Sequence, residues 1–191
     1  MPNWCETTYI CVGEEKELSQ LYDMLVKMSK NAAPTIPNGF GNMWLGELVN
    51  MLGCDWEKFA CRGEVIDFDM DDTTLRIIQG TAWCEQEGVR QAIERRFPSI
   101  KVYFRDEEPG MGIFCTNDAE GLYFSEKYFV DDGEEVDYCE DLDELKNVIE
   151  SITGDSLECD IDAIQKAITA YNEKNEDNDK YIELLVSSIV D

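Results

Sequence analysis

Residues 64–104 read EVIDFDMDDTTLRIIQGTAWCEQEGVRQAIERRFPSIKVYF. Glu64, Ile66, Phe68 and Met70 alternate with Val65, Asp67 and Asp69, which is the period of a strand. Asp71-Asp72 then turn the chain into Thr73 to Trp83, where Leu75 and Ile77 share one face, so the two runs form a β-hairpin. Val89, Ala92, Ile93 and Phe97 follow at helical spacing until Pro98 stops the helix, and Ile100, Val102 and Phe104 alternate through a further strand. The stretch spells β-β-α-β.

Upstream, Trp4 to Val12 is rich in Thr, Tyr, Ile and Val and reads as a strand. Leu18, Leu21, Tyr22, Leu25 and Met28 then trace one face of a helix from about Glu14 to Ser29. Asn31 to Asn42, with two prolines and two glycines, is loop. A short helix over Met43 to Leu52, ended by Gly53, reads as an insertion near 43–53. The element order is thus β-α-(insert)-β-β-α-β. It predicts an α+β fold with the ferredoxin-like split βαβ antiparallel sheet, two helices covering one face.

Downstream, Met111 to Thr116 and Leu122 to Val130 predict an added β-hairpin. Leu142 to Ile152, Ile161 to Tyr171 and Tyr181 to Val190 each carry helical apolar spacing and predict a C-terminal helical appendage. Two units are expected: residues 1–130 as the ferredoxin-like domain, and 131–191 as an acidic linker with a helical tail.

The chain of 191 residues carries 16 Lys and Arg against 42 Asp and Glu, a formal charge of −26, and contains no histidine. Without His there is no Ser-His-Asp or Cys-His nucleophile, no HExxH zinc site and no imidazole base. The charge disfavours DNA and RNA, whose binding depends on Lys and Arg displacing phosphate counterions. Residues 109–191 hold −18 of the total, and Asp131 to Glu144 hold nine carboxylates in fourteen residues. No run reaches the roughly 18 apolar residues of a membrane span, and the start lacks a signal peptide's apolar segment, so a cytoplasmic protein is expected.

Eight cysteines contain no CxxC pair. Cys5 and Cys11 sit six residues apart on one strand, about 20 Å at the rise of a strand, beyond bridging distance. Reduced, mostly buried thiols are expected, with no cofactor and no metal.

One set of residues carries a resemblance: Met1-Pro2-Asn3-Trp4-Cys5, Trp44-Leu45-Gly46 with Leu48, Gly53 with Trp56, Cys61-Arg62-Gly63-Glu64, Trp83, and Glu107-Glu108-Pro109-Gly110 with Gly112. Over residues 1–130 the chain resembles the YubB-type ferredoxin-like domain family. The resemblance implies a ferredoxin-like fold in proteins of bacterial plasmids, phages and conjugative elements, and it implies no reaction. The helical tail lies outside it.

Candidate site residues follow. Trp4, Trp44, Trp56 and Trp83 either pack a core or line an aromatic pocket. Arg62, Glu64, Glu107 and Glu108 fall near strand ends, where an arginine facing carboxylates would bind a small polar ligand or hold a turn. Glu108-Pro109-Gly110 is itself turn chemistry. Asp67, Asp69, Asp71 and Asp72 lack the Gly and Glu positions of an EF-hand loop and read as a solvated hairpin end. Lys101, Tyr103 and Arg105 alternate on the sheet face the helices leave bare, yet Cys61-Arg62-Gly63-Glu64-Val65 places acid where an RNA-binding RNP1 motif needs an aromatic. Met1-Pro2 would offer a proline amine to a tautomerase, but the first forty residues contain no Arg to serve it.

The residues favour a non-enzymatic cytosolic interaction protein, accessory to a bacterial mobile element, with a protein partner. One alternative is a DNA-mimicking inhibitor of DNA-binding enzymes, presenting Asp131, Asp132, Glu134, Glu135 and Asp137 in place of phosphates. A second is a metal-dependent enzyme built on carboxylates. Nothing in the residues assigns an oligomeric state.

Overall fold

Alternation organises the first strand, β1 (Trp4–Val12): Cys5, Thr7, Tyr9 and Cys11 are buried, while Glu6, Thr8, Ile10 and Val12 face the other way. The computed structural model describes residues 3–71, 73–175 and 180–190; Met1, Pro2 and Asp72, which the sequence reading used, lie outside the described residues. Helix α1 (Glu15–Lys30) buries Leu18, Leu21, Leu25 and Met28 on one stripe, with Glu15 and Glu17 in its first turn and Lys27 and Lys30 in its last, the order that suits the helix dipole. The insertion is α2 (Leu45–Met51). The hairpin of β2 (Gly63–Met70) and β3 (Thr74–Ala82), helix α3 (Glu87–Arg96) and strand β4 (Lys101–Glu108) complete the central arrangement.

These strands lie in the order β2-β3-β1-β4, every neighbouring pair antiparallel. Each helical crossover therefore joins two parallel strands with one antiparallel strand between them, as the split βαβ order requires. Leu75, Ile77, Val102 and Phe104 meet α1, α2 and α3 in one core on the helix-covered face. The fold is α+β.

Residues of the 44–64 motif form a single packed cluster. The Trp44 indole stacks edge-on against Trp56 at 5.1 Å and donates its Nε1–H to the Cys61 carbonyl at 2.7 Å. Gly46 lies against the Trp44 ring and Gly63 against the Gly80 carbonyl, places where a Cβ would collide.

Beyond β4 the chain departs from expectation. Strand β5 (Ile113–Thr116) pairs with β4, but the Leu122 to Val130 run does not return to it as a hairpin. The Asn117 amide oxygen instead takes the Phe104 N–H at 2.7 Å, and Asp118 Oδ2 takes the N–H groups of Tyr123 and Phe124, which routes the chain away. Strand β6 (Tyr128–Asp131) then founds a second sheet.

The acidic stretch is not a linker. Asp131, Asp132 and Gly133 turn β6 into β7 (Val136–Cys139), the two pairing antiparallel, so the boundary expected at residue 130 falls inside a strand. Asp132 Oδ1 accepts the N–H groups of Glu134 and Glu135, and Gly133 supplies a φ of +84°.

The tail is helical only in part. Helix α4 (Leu142–Thr153), capped by Asp141, and helix α5 (Ile161–Asn175) form as expected. Tyr181 to Val190 is extended instead: β8 (Glu183–Val186) pairs antiparallel with β6, and β9 (Ser188–Ile189) pairs parallel with β5. Two strand edges left without partners favour extended backbone there over a helix. Leu145, Ile149, Ile164, Ile168 and Ile182 close a second core beneath the small sheet.

Candidate functional site

Antiparallel register sorts the sheet residues into cross-strand rows. Glu64, Gly80, Glu6, Glu107 and Phe114 form one row on the face away from the helices. Glu64 and Glu107 therefore share a face but lie three strand spacings apart, roughly 14 Å, too far to act on one small ligand.

Glu107 has a different arginine from the one expected. Arg105, two residues earlier on the same face, pairs with Glu107 at 2.5 Å and with Glu126 at 3.2 Å. Its guanidinium sits 4.8 Å from the Tyr138 ring centre and 5.3 Å from that of Phe124. Arg62 is exposed; its backbone N–H donates to Gln86 Oε1 at 3.0 Å and its carbonyl accepts from Ala82 N at 2.8 Å, so its main chain ties β2 to the turn after β3. Glu108 lies where β4 gives way to the Pro109–Met111 turn. The four residues do not converge.

The tryptophans divide. Trp44 and Trp56 belong to the core, whereas Trp4 and Trp83 stay largely exposed at one sheet end, Trp4 edge-on to Phe40 at 6.0 Å. Trp83 has a φ of +78°, alone among the described non-glycine residues in being positive.

Sequence reasoning missed the polar network beside that turn. On the helix-covered face the next row is Val65, Gln79, Thr7, Asp106 and Cys115. Asp106 accepts from Thr7 Oγ1 and from the Glu85 N–H, both at 2.6 Å, and Thr7 meets Thr81 at 2.9 Å. Glu85 in turn accepts from the Tyr9 hydroxyl at 2.6 Å and from Arg90 Nε at 3.1 Å. Burial pushes both carboxyls above their ordinary range, against the hydrogen bonds that pull them down. The missed signal was phase: Thr7 and Asp106 occupy positions that the alternation of Cys5, Tyr9, Val102 and Phe104 marks as buried.

An open cleft of about 290 Å³ adjoins this network, lined by Cys84, Arg90, Cys115 and Val190 among others. Burial pushes the Cys5 thiol up to about 12 and the Cys115 thiol up to about 11, so both are protonated at neutral pH. The cysteines are free.

The acidic residues mostly serve the backbone. Asp71 takes the N–H groups of Thr73 and Thr74, and Asp69 pairs with Arg76 at 2.7 Å. In the 131–144 run, Asp131, Asp132, Asp141 and Glu144 accept local backbone N–H groups, leaving Glu134, Glu135 and Asp137 exposed on the hairpin. Among the described residues no group of three or more His, Cys, Asp or Glu side chains is arranged to hold a metal ion, and no helix is long and apolar enough to cross a membrane.

The sheet face opposite the helices is covered only in part. Phe129 and Tyr138 of the second sheet pack on Phe114, and the Tyr138 hydroxyl donates to Glu107 Oε2 at 2.6 Å, closing the β4-β5 side. Across β2, β3 and β1, Ile66 is 62% exposed, and Ile78, Thr8 and Ile10 are half-buried. Compared with protein-family models, curated proteins and solved structures, the chain matches none.

Proposed function

We propose that the chain is a non-enzymatic interaction protein that works through a protein partner. The observation that carries this reading is the bare β2-β3-β1 part of the sheet face, which offers Ile10, Ile66 and Ile78 to solvent. The groups suited to chemistry support it from the other side. Glu85 and Asp106 hold the turn after β3 through hydrogen bonds, and burial keeps the Cys5 and Cys115 thiols protonated. A role accessory to a bacterial mobile element, in the cytoplasm, rests on the resemblance to the YubB-type family and on the residues that carry it.

A photo-crosslinking residue placed at position 66, compared with one at position 165 on α5, tests the reading in a bacterial host. A discrete protein adduct formed at 66 and absent at 165 is expected. Equal adducts at both positions, or none from 66, 78 and 10, would overturn it.

A further inference from the structure

We propose that the bare part of the sheet receives an amphipathic helix from the partner, its apolar stripe flanked by Lys and Arg. The proposal deepens the interaction reading above and rests on it. Width argues for a helix: three neighbouring strands about 4.8 Å apart give a strip roughly 10–14 Å across, the diameter of one helix with its side chains. The strip is bounded by the β2 edge on one side and by Tyr138 of the second sheet on the other, where Glu6 lies near enough to help push the Tyr138 phenol up after burial and Glu107. Its floor is apolar at Ile10, Ile66 and Ile78, and Gly80, with no side chain beyond the Ile66 methyl that packs over it, keeps the middle low.

Charge sets the helix's character. Glu6, Glu64 and Asp67 stand around the apolar floor with no ion-pair partner within 4 Å among the described residues, whereas Arg76 is engaged by Asp69. Two cations are the exceptions: Arg62, exposed just before β2, and Lys101, exposed at the far corner against the Tyr103 ring. A formal charge of −26 adds a long-range field of the same sign. That field opposes both a polyanion and a second copy of this chain. An added strand is also opposed, because Trp44 bridges to Glu64 at the start of the β2 edge and a bulge interrupts pairing between Val65 and Asp67.

The test uses the full chain and a 14-residue peptide of Leu and Lys placed at heptad spacing, with a scrambled peptide of the same composition as control. Isoleucine methyl NMR should show shifts at Ile10, Ile66 and Ile78 and none at Ile149, Ile164 and Ile168. The scrambled peptide should bind about tenfold more weakly. The triple variant E6Q/E64Q/D67N, whose amide spectrum reports that it stays folded, should bind the helical peptide about fivefold more weakly. Equal affinity for both peptides, or shifts centred on residues 131–144, would overturn the proposal. If crosslinking at position 66 captures a partner through an acidic or non-helical segment, the proposal fails while the interaction reading stands; if position 66 captures nothing, that reading fails first.

Discussion

Arg105 stacks 4.8 Å over the Tyr138 ring, and the hydroxyl of that ring donates to the carboxylate Arg105 neutralises, Glu107. One residue of the first sheet thereby holds one residue of the second by charge, ring face and hydrogen bond together. The side chains of Arg105 and Glu107 are 17% and 11% exposed, dry enough for the pair to carry weight. Arg105→Met should therefore cost about 3 kcal/mol in urea unfolding, because it leaves Glu107 buried without its cation. The double variant with Glu107→Gln should cost about 1 to 3 kcal/mol less than the two single costs summed. A single-variant cost under about 0.5 kcal/mol, the range of ordinary surface changes, would show that the two sheets do not depend on this contact.

Asp106 makes stability depend on pH in an unusual direction. Burial raises its folded pKa above the ordinary 3.8, so the folded state holds the proton more tightly than the unfolded chain. Its contribution is complete below 3.8 and is lost as pH rises through the folded value. Asp106→Asn can still accept the Glu85 N–H and can donate to Thr7, whose hydroxyl then turns to Thr81. Asp71, held below its ordinary range by the Thr73 and Thr74 N–H groups, has the opposite dependence, and comparison with the variant cancels such terms. The urea midpoint of the wild type should fall relative to that of D106N between about pH 4 and pH 7. A difference constant across that range would sink the assignment.

The core sheet was legible because β1, β3 and β4 alternate between a covered and an open face, and because Gly53 and Pro98 mark helix ends; in β2 a bulge after Val65 breaks the alternation, leaving Ile66 and Asp67 on the open face and turning Phe68 to the covered one. The second sheet was not. In β7 the apolar residues Val136, Tyr138 and Cys139 are interrupted by Asp137 and flanked by carboxylates that serve the turn before them and the α4 cap after them, so charge concealed the strand. In the tail, Ile182, Leu184 and Leu185 fit a helix as well as a strand, and only the vacant edges of β6 and β5 decide between them. At the site, the sequence expected Glu64 and Glu107 only near strand ends, and it is the register that puts them on one face. Pairing with Arg62 rather than Arg105 was the natural error of reading motif neighbours instead of two-residue neighbours on a strand.

Trp83 carries backbone strain that its exposed side chain does not repay by burial, with a φ of +78° and 40% of its surface in water. Its N–H is fixed by the Asn3 carbonyl at 3.0 Å, and two residues on Glu85 is fixed by Asp106, so the turn has little room to relax. Glycine removes the Cβ penalty and alanine keeps it, while both remove the indole. Trp83→Gly should therefore be more stable than Trp83→Ala by about 1 kcal/mol in thermal or urea unfolding. The reverse order would mean that the positive φ is not strained here.

Residues 183–190 bridge the sheets: Ser187 N donates to the Lys127 carbonyl at 2.8 Å and Val190 N to the Thr116 carbonyl at 2.9 Å, with β9 laid along β5 between them. Ser188 and Ile189 are exposed, so β9 is held chiefly by backbone pairing and should be the weakest element of the main sheet. Deleting the chain after Val186 should cost about 1–2 kcal/mol, the worth of its few hydrogen bonds, and leave both cores folded. The sharper effect concerns Cys115, which pairs with Ser188 and lines the cleft that Val190 helps close. At neutral pH N-ethylmaleimide should modify the exposed Cys84 and Cys159 of the full chain well before the half-buried Cys115. In the truncated chain Cys115 should react at a rate approaching that of Cys84, while the buried Cys5, Cys11 and Cys139 stay protected. Peptide mass spectrometry over a time course reads each site separately. If Cys115 keeps its slow rate after truncation, the sheet itself protects the thiol and β9 is not its cover.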